Sequence, residues 1–208
     1  VTAIGFVMQP VAALAASVIT RENGTAVNFN NNGVADIFAS QVVNNNVAIN
    51  KFAEFKLDAN NIANMYFGTS ATSNSAGNLV NFVDSRIDIN GTVNAIQNQK
   101  IGGNLFFFSR DGMAVGKTGV INAGALYVAT PTENAFKDYK KLETKDQFNT
   151  IIKEEGFANI PINASGTISV LGKVNAVNAV NLRAAKIGVG KNVSKDIIGD
   201  VAAGATAT

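Results

Sequence analysis

The chain has 208 residues, of which 47% are hydrophobic and 15% charged, with a formal net charge of +2. That balance excludes a disordered tail and supplies no basic field for nucleic acid. Cysteine and histidine are both absent, which excludes a disulfide, a thiolate nucleophile, a Cys/His zinc site and a Ser-His-Asp triad. A chain without cysteine suits either a cytosolic bacterial protein or an extracellular one threaded unfolded across a membrane. Its polarity resides in Asn, Ser and Thr rather than in charge, which favours side-chain turns and Asn ladders over salt-bridged surfaces.

Residues 1–16, VTAIGFVMQPVAALAA, are apolar, uncharged and end in small residues. Ala13-Leu14-Ala15 fits the small-x-small pattern of a leader cleavage site, and polar Ser17, Thr20, Arg21 and Glu22 follow it. With no basic stretch among them, these residues read as the tail of a signal peptide; the other reading is a first capping segment of the fold. Interrupted by Gln9-Pro10, the stretch is too short to span a membrane.

From residue 17 to 67, strand pieces alternate with Asn-rich turns: TAVNF, VADIF, NVAIN, FAEFKL and IANMYF. In the fourth, alternation sets Phe52, Glu54 and Lys56 on one face and Ala53, Phe55 and Leu57 on the other, the pattern of a half-buried strand. Residues 68–77, GTSATSNSAG, read as a low-complexity loop with nothing to bury.

Residues 87–132 carry the densest signal. Apolar pieces at 87–89, 92–95, 105–108, 113–115, 120–121 and 125–129 are separated by Gly, Asn and Ser-Arg-Asp-Gly turns. They are too broken for helices and too short to form separate hairpins with buried faces. Stacked as successive sides of a coil, they make a β-solenoid. Leu105-Phe106-Phe107-Phe108 puts aromatics on both faces, so one face fills the coil and the other requires a cover, for which a flanking hairpin or cap is expected.

A helical excursion follows. Thr130 reads as an N-cap, with Pro131 in the first helical position, Glu133 three residues on, and a stripe of Ala135, Tyr139 and Leu142. Thr144 and Gln147 form a second capping box; Phe148, Ile151 and Ile152 make its apolar stripe and Gly156 its stop. The lysine-rich face is expected to be solvated. Residues 160–193 return to the strand rhythm, with SGTISV, GKVNAV, VNAVNL and AAKIGV echoing NGTVNAI and GKTGVINAG. Glycine permits each corner, the β-branched residue points inward, and Asn and Ser stack above their equivalents in the next coil. The Gly/Ala-rich tail at 196–208 has no polar cap and reads as a point where a longer protein continues.

On three segments, residues 46–67 (NVAINKFAEFKLDANNIANMYF), 85–93 (SRIDINGTV) and 105–130 (LFFFSRDGMAVGKTGVINAGALYVAT), the chain resembles the N-terminal two-partner secretion domain of filamentous haemagglutinin-type exoproteins, the haemagglutination activity domain. Where that family usually has an Asn-Pro-Asn-Gly turn, this chain has Ser109-Arg110-Asp111-Gly112. A type I turn accepts Ser first and Gly fourth, so the backbone turn survives the change. The resemblance implies an all-β fold: a right-handed parallel β-helix with an N-terminal β cap, extra-helical strands and a short helical insertion at about 131–156. One such domain would span 17–208, truncated from a longer exoprotein. It also implies an adhesin secreted or held at the surface of a diderm bacterium. In the periplasm its partners would be the POTRA domains of a cognate TpsB-type outer-membrane β-barrel transporter. Beyond the cell, the full-length protein would meet host-cell or bacterial surface receptors.

The residues singled out for partner contact are Ser109, Arg110, Asp111 and Gly112, Asn90 and Gly91 of the preceding rung, and Phe106 and Phe108 of the aromatic strand. No catalytic residue, metal or cofactor is expected. The alternatives are a carbohydrate-active β-helix enzyme using Asp84 and Asp88, which lie with Arg86 at alternate positions, or a module that binds host glycans directly. Paired as they are around an arginine, those carboxylates read rather as a mutually neutralised face.

Overall fold

The computed structural model describes residues 16–190 and the backbone of residues 201–203. Of the leader-like residues 1–16 all but Ala16, and the tail apart from that short strand, lie outside the described residues. The strands are β1 (Val18–Arg21), β2 (Val34–Ile37), β3 (Gln41–Val43), β4 (Val47–Leu57), β5 (Ile62–Tyr66), β6 (Asn78–Val83), β7 (Ile87–Ile89), β8 (Thr92–Gln97), β9 (Lys100–Ile101), β10 (Asn104–Phe108), β11 (Gly112–Val115), β12 (Val120–Ala129), β13 (Thr167–Val170), β14 (Lys173–Arg183), β15 (Lys186–Val189) and β16 (Val201–Ala203). Helices α1 (Glu133–Tyr139), α2 (Lys145–Ile152) and α3 (Glu154–Ala158) stand between β12 and β13.

Parallel pairing sorts these strands into three faces. The first stacks the start of β4, then β6, β10 and the later halves of β12 and β14. The second stacks the end of β4, then β7, β11, β13 and β15. The third stacks β2, β5, β8 and the earlier halves of β12 and β14. The chain therefore winds round the three faces five times: it is a parallel β-helix.

Three of the longer strands turn a corner without breaking, which sequence alternation alone does not reveal. Residues 47–52 of β4 belong to the first face and residues 55–57 to the second. Phe52 and Phe55 therefore both point inward, their rings 5.5 Å apart edge to face, rather than lying on opposite sides. Likewise the pieces expected at 120–121 and 125–129 are one strand, β12, kinked by a bulge at Gly124. A Cβ at that glycine would stand 2.7 Å from the Gly103 carbonyl of the coil below, so only glycine lets the corner close.

The interior is predominantly apolar. Ala48, Leu79, Leu105 and Leu126 stack along the first face, and Phe107 meets Phe55 edge to face at 5.6 Å. Two buried amides interrupt it. Asn50 Nδ2 donates to Asn81 Oδ1 at 3.1 Å, and Asn81 Nδ2 donates to the Phe106 carbonyl at 3.0 Å. Arg21 closes the N-terminal end of this row by donating to Asn50 Oδ1, Ser40 Oγ and the Phe38 carbonyl, its guanidinium 5.7 Å from the centre of the Phe52 ring. Burial pushes its pKa below the ordinary arginine value. Around it, β1 and β3 run antiparallel to β4 and form the cap. The sequence rhythm misses both strands, and the piece expected at 25–29 contributes only a bridge between Ala26 and Thr20.

On the outward side of the third face an amide ladder crosses all five coils, as the Asn-rich rhythm predicts. Asn64 donates to Asp36 at 2.9 Å, Asn94 to Asn64 at 3.0 Å, Asn122 to Asn94 at 2.8 Å and Asn175 to Asn122 at 2.8 Å. The loop at 68–77 does bury something, contrary to its composition. Asn74 is 3% exposed, donates to the Ala71 carbonyl at 2.6 Å and accepts from the Asn98 amide through its own carbonyl.

The first face has a second apolar side, and the helices cover it. Phe136, Phe148, Ile151, Ile152 and Phe157 pack with Val43 of β3 on Val47, Ile49, Val80, Phe82, Phe106 and Phe108. The rings of Phe106 and Tyr127 stack at 4.4 Å, and Phe157 meets Tyr127 edge to face at 5.3 Å. The cover is thus mainly the helical excursion, not a hairpin. That excursion also differs in detail from its sequence signature. Thr132 caps α1, accepting from the Ala135 amide at 3.4 Å, while Thr130 is buried in the corner and Pro131 bridges to Ile162. The capping box of Thr144 and Gln147 opens α2 as expected. Gly156 is no stop but lies inside α3, where a Cβ would run into the Thr150 carbonyl. The insert leaves and re-enters the coil at one place: Thr132 N–H donates to the Pro161 carbonyl and Asn163 N–H to the Thr130 carbonyl, both at 2.8 Å.

Candidate functional site

The residues singled out for partner contact fall on three different surfaces. Asn90 and Gly91 form the corner that follows β7, while Ser109–Gly112 form the corner that precedes β11. Because β7 and β11 are parallel neighbours, the two corners lie at opposite ends of the second face. Asn90 is exposed, and Gly91 packs so tightly on the Asp58 and Asn61 carbonyls that a Cβ would not fit. Phe106 and Phe108 point outward from the first face but are 0% exposed beneath the helices. A partner meeting the folded domain reaches neither ring.

The Ser109–Gly112 corner is built from its backbone outward. Gly112 has a φ of +90° and lies against the Thr167 carbonyl of the next coil, a place that admits no side chain. Its N–H donates to the Ser109 carbonyl at 3.2 Å, closing the turn. Ser109, 1% exposed, donates through Oγ to the Ser85 carbonyl of the coil below at 2.7 Å. The buried serine is therefore a stitch between corners. Arg110 and Asp111 remain: the arginine is partly exposed and the aspartate exposed.

The helical excursion rises from the corner directly above this one, and the turn serves as its footing. Asn163 donates to the Arg110 carbonyl at 2.9 Å, and the Arg110 guanidinium lies 3.6 Å from Glu133 at the start of α1. Further along α1, Glu133 also pairs with Lys137 at 2.7 Å. The hydrogen bond from Lys137 and the nearby Arg110 charge hold the Glu133 carboxyl below its ordinary value. A concavity of about 250 Å³ lies between turn and helix, lined by Asp84, Arg110, Glu133, Phe136, Lys137 and Lys140.

Lys140 is the residue that sequence reasoning missed. The lysine-rich face is solvated at Lys137 and Lys141, but the Lys140 side chain is only 15% exposed. Its ammonium donates to Asp84 Oδ1 and to Glu22 Oε1, each at 2.7 Å, tying α1 to the second coil and to the cap. Burial alone would lower its pKa; the bonds to Asp84 and Glu22 outweigh that and raise it above the ordinary lysine value. A raised folded value means the stabilisation is fully present below the unfolded lysine pKa of about 10.4 and fades as pH rises through the folded one. Lys140→Met is therefore expected to lower stability by about 1 kcal/mol at neutral pH. Melting curves of the two proteins should converge only at strongly alkaline pH; a difference that is constant with pH would mean the contribution is packing alone.

The carboxylates of the enzyme alternative are engaged elsewhere. Asp84 lies in the corner before β7 and is held by Lys140, while Asp88 lies within β7, 3.6 Å from Arg86. Arg86 also donates to Thr167 Oγ1 at 2.9 Å. Each carboxylate thus already has a cation against it. What the arrangement offers chemically is a charged ridge of footing, helix and latch along one edge of the solenoid. No family model matches the chain, and neither a curated protein nor a solved structure does.

Proposed function

We propose that the chain is the secretion domain of a larger surface or secreted adhesin of a diderm bacterium. In this reading POTRA domains of a cognate outer-membrane β-barrel transporter engage it in the periplasm, and it seeds β-helix formation outside the cell. The observation that carries the reading is the asymmetry of the stack. At the N-terminal end β1, β3 and Arg21 close the first coil. At the other end, among the described residues, β14 is crossed only along residues 180–182 by β16, and the sheet ends on β15. Leu171, Val177 and Val189 stand exposed there. A solenoid whose first coil is closed by its own cap adds coils away from that cap, each burying its face on the last.

The burial of Phe106 and Phe108 divides recognition into two stages. Extended chain in the periplasm presents both rings and its strand edges to a POTRA sheet, where strand addition supplies affinity through backbone hydrogen bonds. Folded chain presents only Arg110 and Asp111 of the same segment. In cells carrying the full exoprotein and its transporter, removal of residues 87–130 is expected to abolish export into the medium. Isolated POTRA domains are expected to capture the denatured chain and not the folded one. Undiminished export after the deletion overturns the proposal, and equal capture of both forms overturns the two-stage account.

A further inference from the structure

The cap contains an orphaned charge. Asp58, in the turn after β4, has a carboxylate oxygen, Oδ2, that is buried and without a hydrogen-bond partner. Buried carboxylate oxygens are ordinarily paired, because an unpaired one forfeits its hydration with no return. The surroundings of Asp58 are otherwise well bonded: its N–H donates to Ser17 Oγ at 2.8 Å, and Asn61 Nδ2 donates to the same oxygen at 2.6 Å.

Ser17 is the residue just before β1, and β1 runs antiparallel to β4 with Val18 opposite Lys56 and Ile19 opposite Phe55. The ladder ends there, and the Ser17 hydroxyl on the Asp58 N–H keeps the two segments together, with Ala16 the next residue outward. Ala16 is exposed and outside any strand. It is also the first residue after Ala13-Leu14-Ala15, the small-x-small tripeptide that closes the apolar leader-like stretch.

We infer that the chain is cleaved between Ala15 and Ala16, and that the α-ammonium created at Ala16 pairs with Asp58 as a structural element of the cap. Hydrolysis of this one peptide bond consumes a water molecule and leaves a carboxylate on Ala15 and an amine, protonated at neutral pH, on Ala16. The uncleaved chain has only a neutral amide at that place. The cap therefore acquires its last ion pair only when the leader is removed. The inference rests on the leader-like reading of residues 1–16 and not on the identity of any transporter, so either can fail without the other.

Two measurements test it. Intact mass and N-terminal sequencing of the protein exported by its own cell should give Ala16 as the first residue; any other first residue overturns the cleavage site. For the pairing, the chain beginning at Ala16 is released from a fusion with no extra residue, and compared with the same chain acetylated at Ala16. Acetylation is expected to lower the melting temperature by about 2–4 °C. Asp58→Asn should lower it similarly in the free-amine form and hardly at all in the acetylated form. The free-amine advantage should disappear as pH is raised through the titration of the amine, and an Asp58→Asn effect equal in both forms overturns the pairing.

Discussion

Phe107→Ala is expected to be the most damaging single truncation in the coil interior, lowering the melting temperature by about 6–20 °C. The figure combines about 3–5 kcal/mol for emptying a buried phenylalanine site with about 2–4 °C per kcal/mol for a domain of this size. The ring is fully buried, sits in the third of five coils and touches Phe55 of the first. Neighbours on both sides of the stack depend on it, and the parallel backbone ladders leave them little freedom to collapse into the space. Phe106, one residue earlier, points the other way. Phe106→Ala empties the second core instead, so its signature is early proteolytic cutting within residues 133–158 while the coils still melt together. If both variants lose the coil transition alike, the two cores are not separable.

The second large effect concerns the helical excursion as a whole. Its ends meet at the hydrogen bonds joining Thr132 to Pro161 and Asn163 to Thr130, so residues 133–159 can be replaced by a short Gly/Ser turn without moving the strands on either side. The coil interior does not use the excised residues: none of the helical residues belongs to the inner cluster. What excision does is uncover Phe82, Phe106, Phe108 and Tyr127 on one flat strip. An exposed apolar strip of this kind associates with itself or with a hydrophobic dye. The shortened protein is expected to keep its β-sheet circular dichroism, bind the dye strongly and aggregate. Threonine at those four positions should restore solubility without restoring the helices. Loss of the sheet signal in the threonine-substituted protein would show instead that the excursion is required for the coil to form.

Local physics explains which parts of this fold could be read from the chain. The strands β7, β8, β10 and β11 are each flanked by Gly or Asn and alternate in the usual period, so composition and rhythm agree. The capping box of α2 is equally local, since Thr144 and Gln147 satisfy one another. Features set by residues far apart were not legible. Arg21 looks like a solvated residue after a leader, yet it is the plug of the first coil because Asn50, Ser40 and Phe38 converge on it. Nothing local marks Asn50 and Asn81 as interior residues, yet they lie inside, where each amide is satisfied by another coil. Lys140 is indistinguishable in sequence from Lys137 and Lys141; only the distant Glu22 and Asp84 set it apart. At the partner-contact candidates, the turn itself was readable from Ser109 and Gly112. That one face of the aromatic strand needs a cover was readable too; that the cover is the helical insert about 25 residues downstream was not.

The amide ladder on the third face has a sense, and a single acid imposes it. An ionised carboxylate can only accept, so Asp36 obliges Asn64 to present its Nδ2 and turn its oxygen toward the following coil. That oxygen then dictates the orientation of Asn94, which dictates Asn122, which dictates Asn175. Four amides that could each flip independently are thereby aligned by one residue in the first coil, which sets the orientation of a side chain in the last.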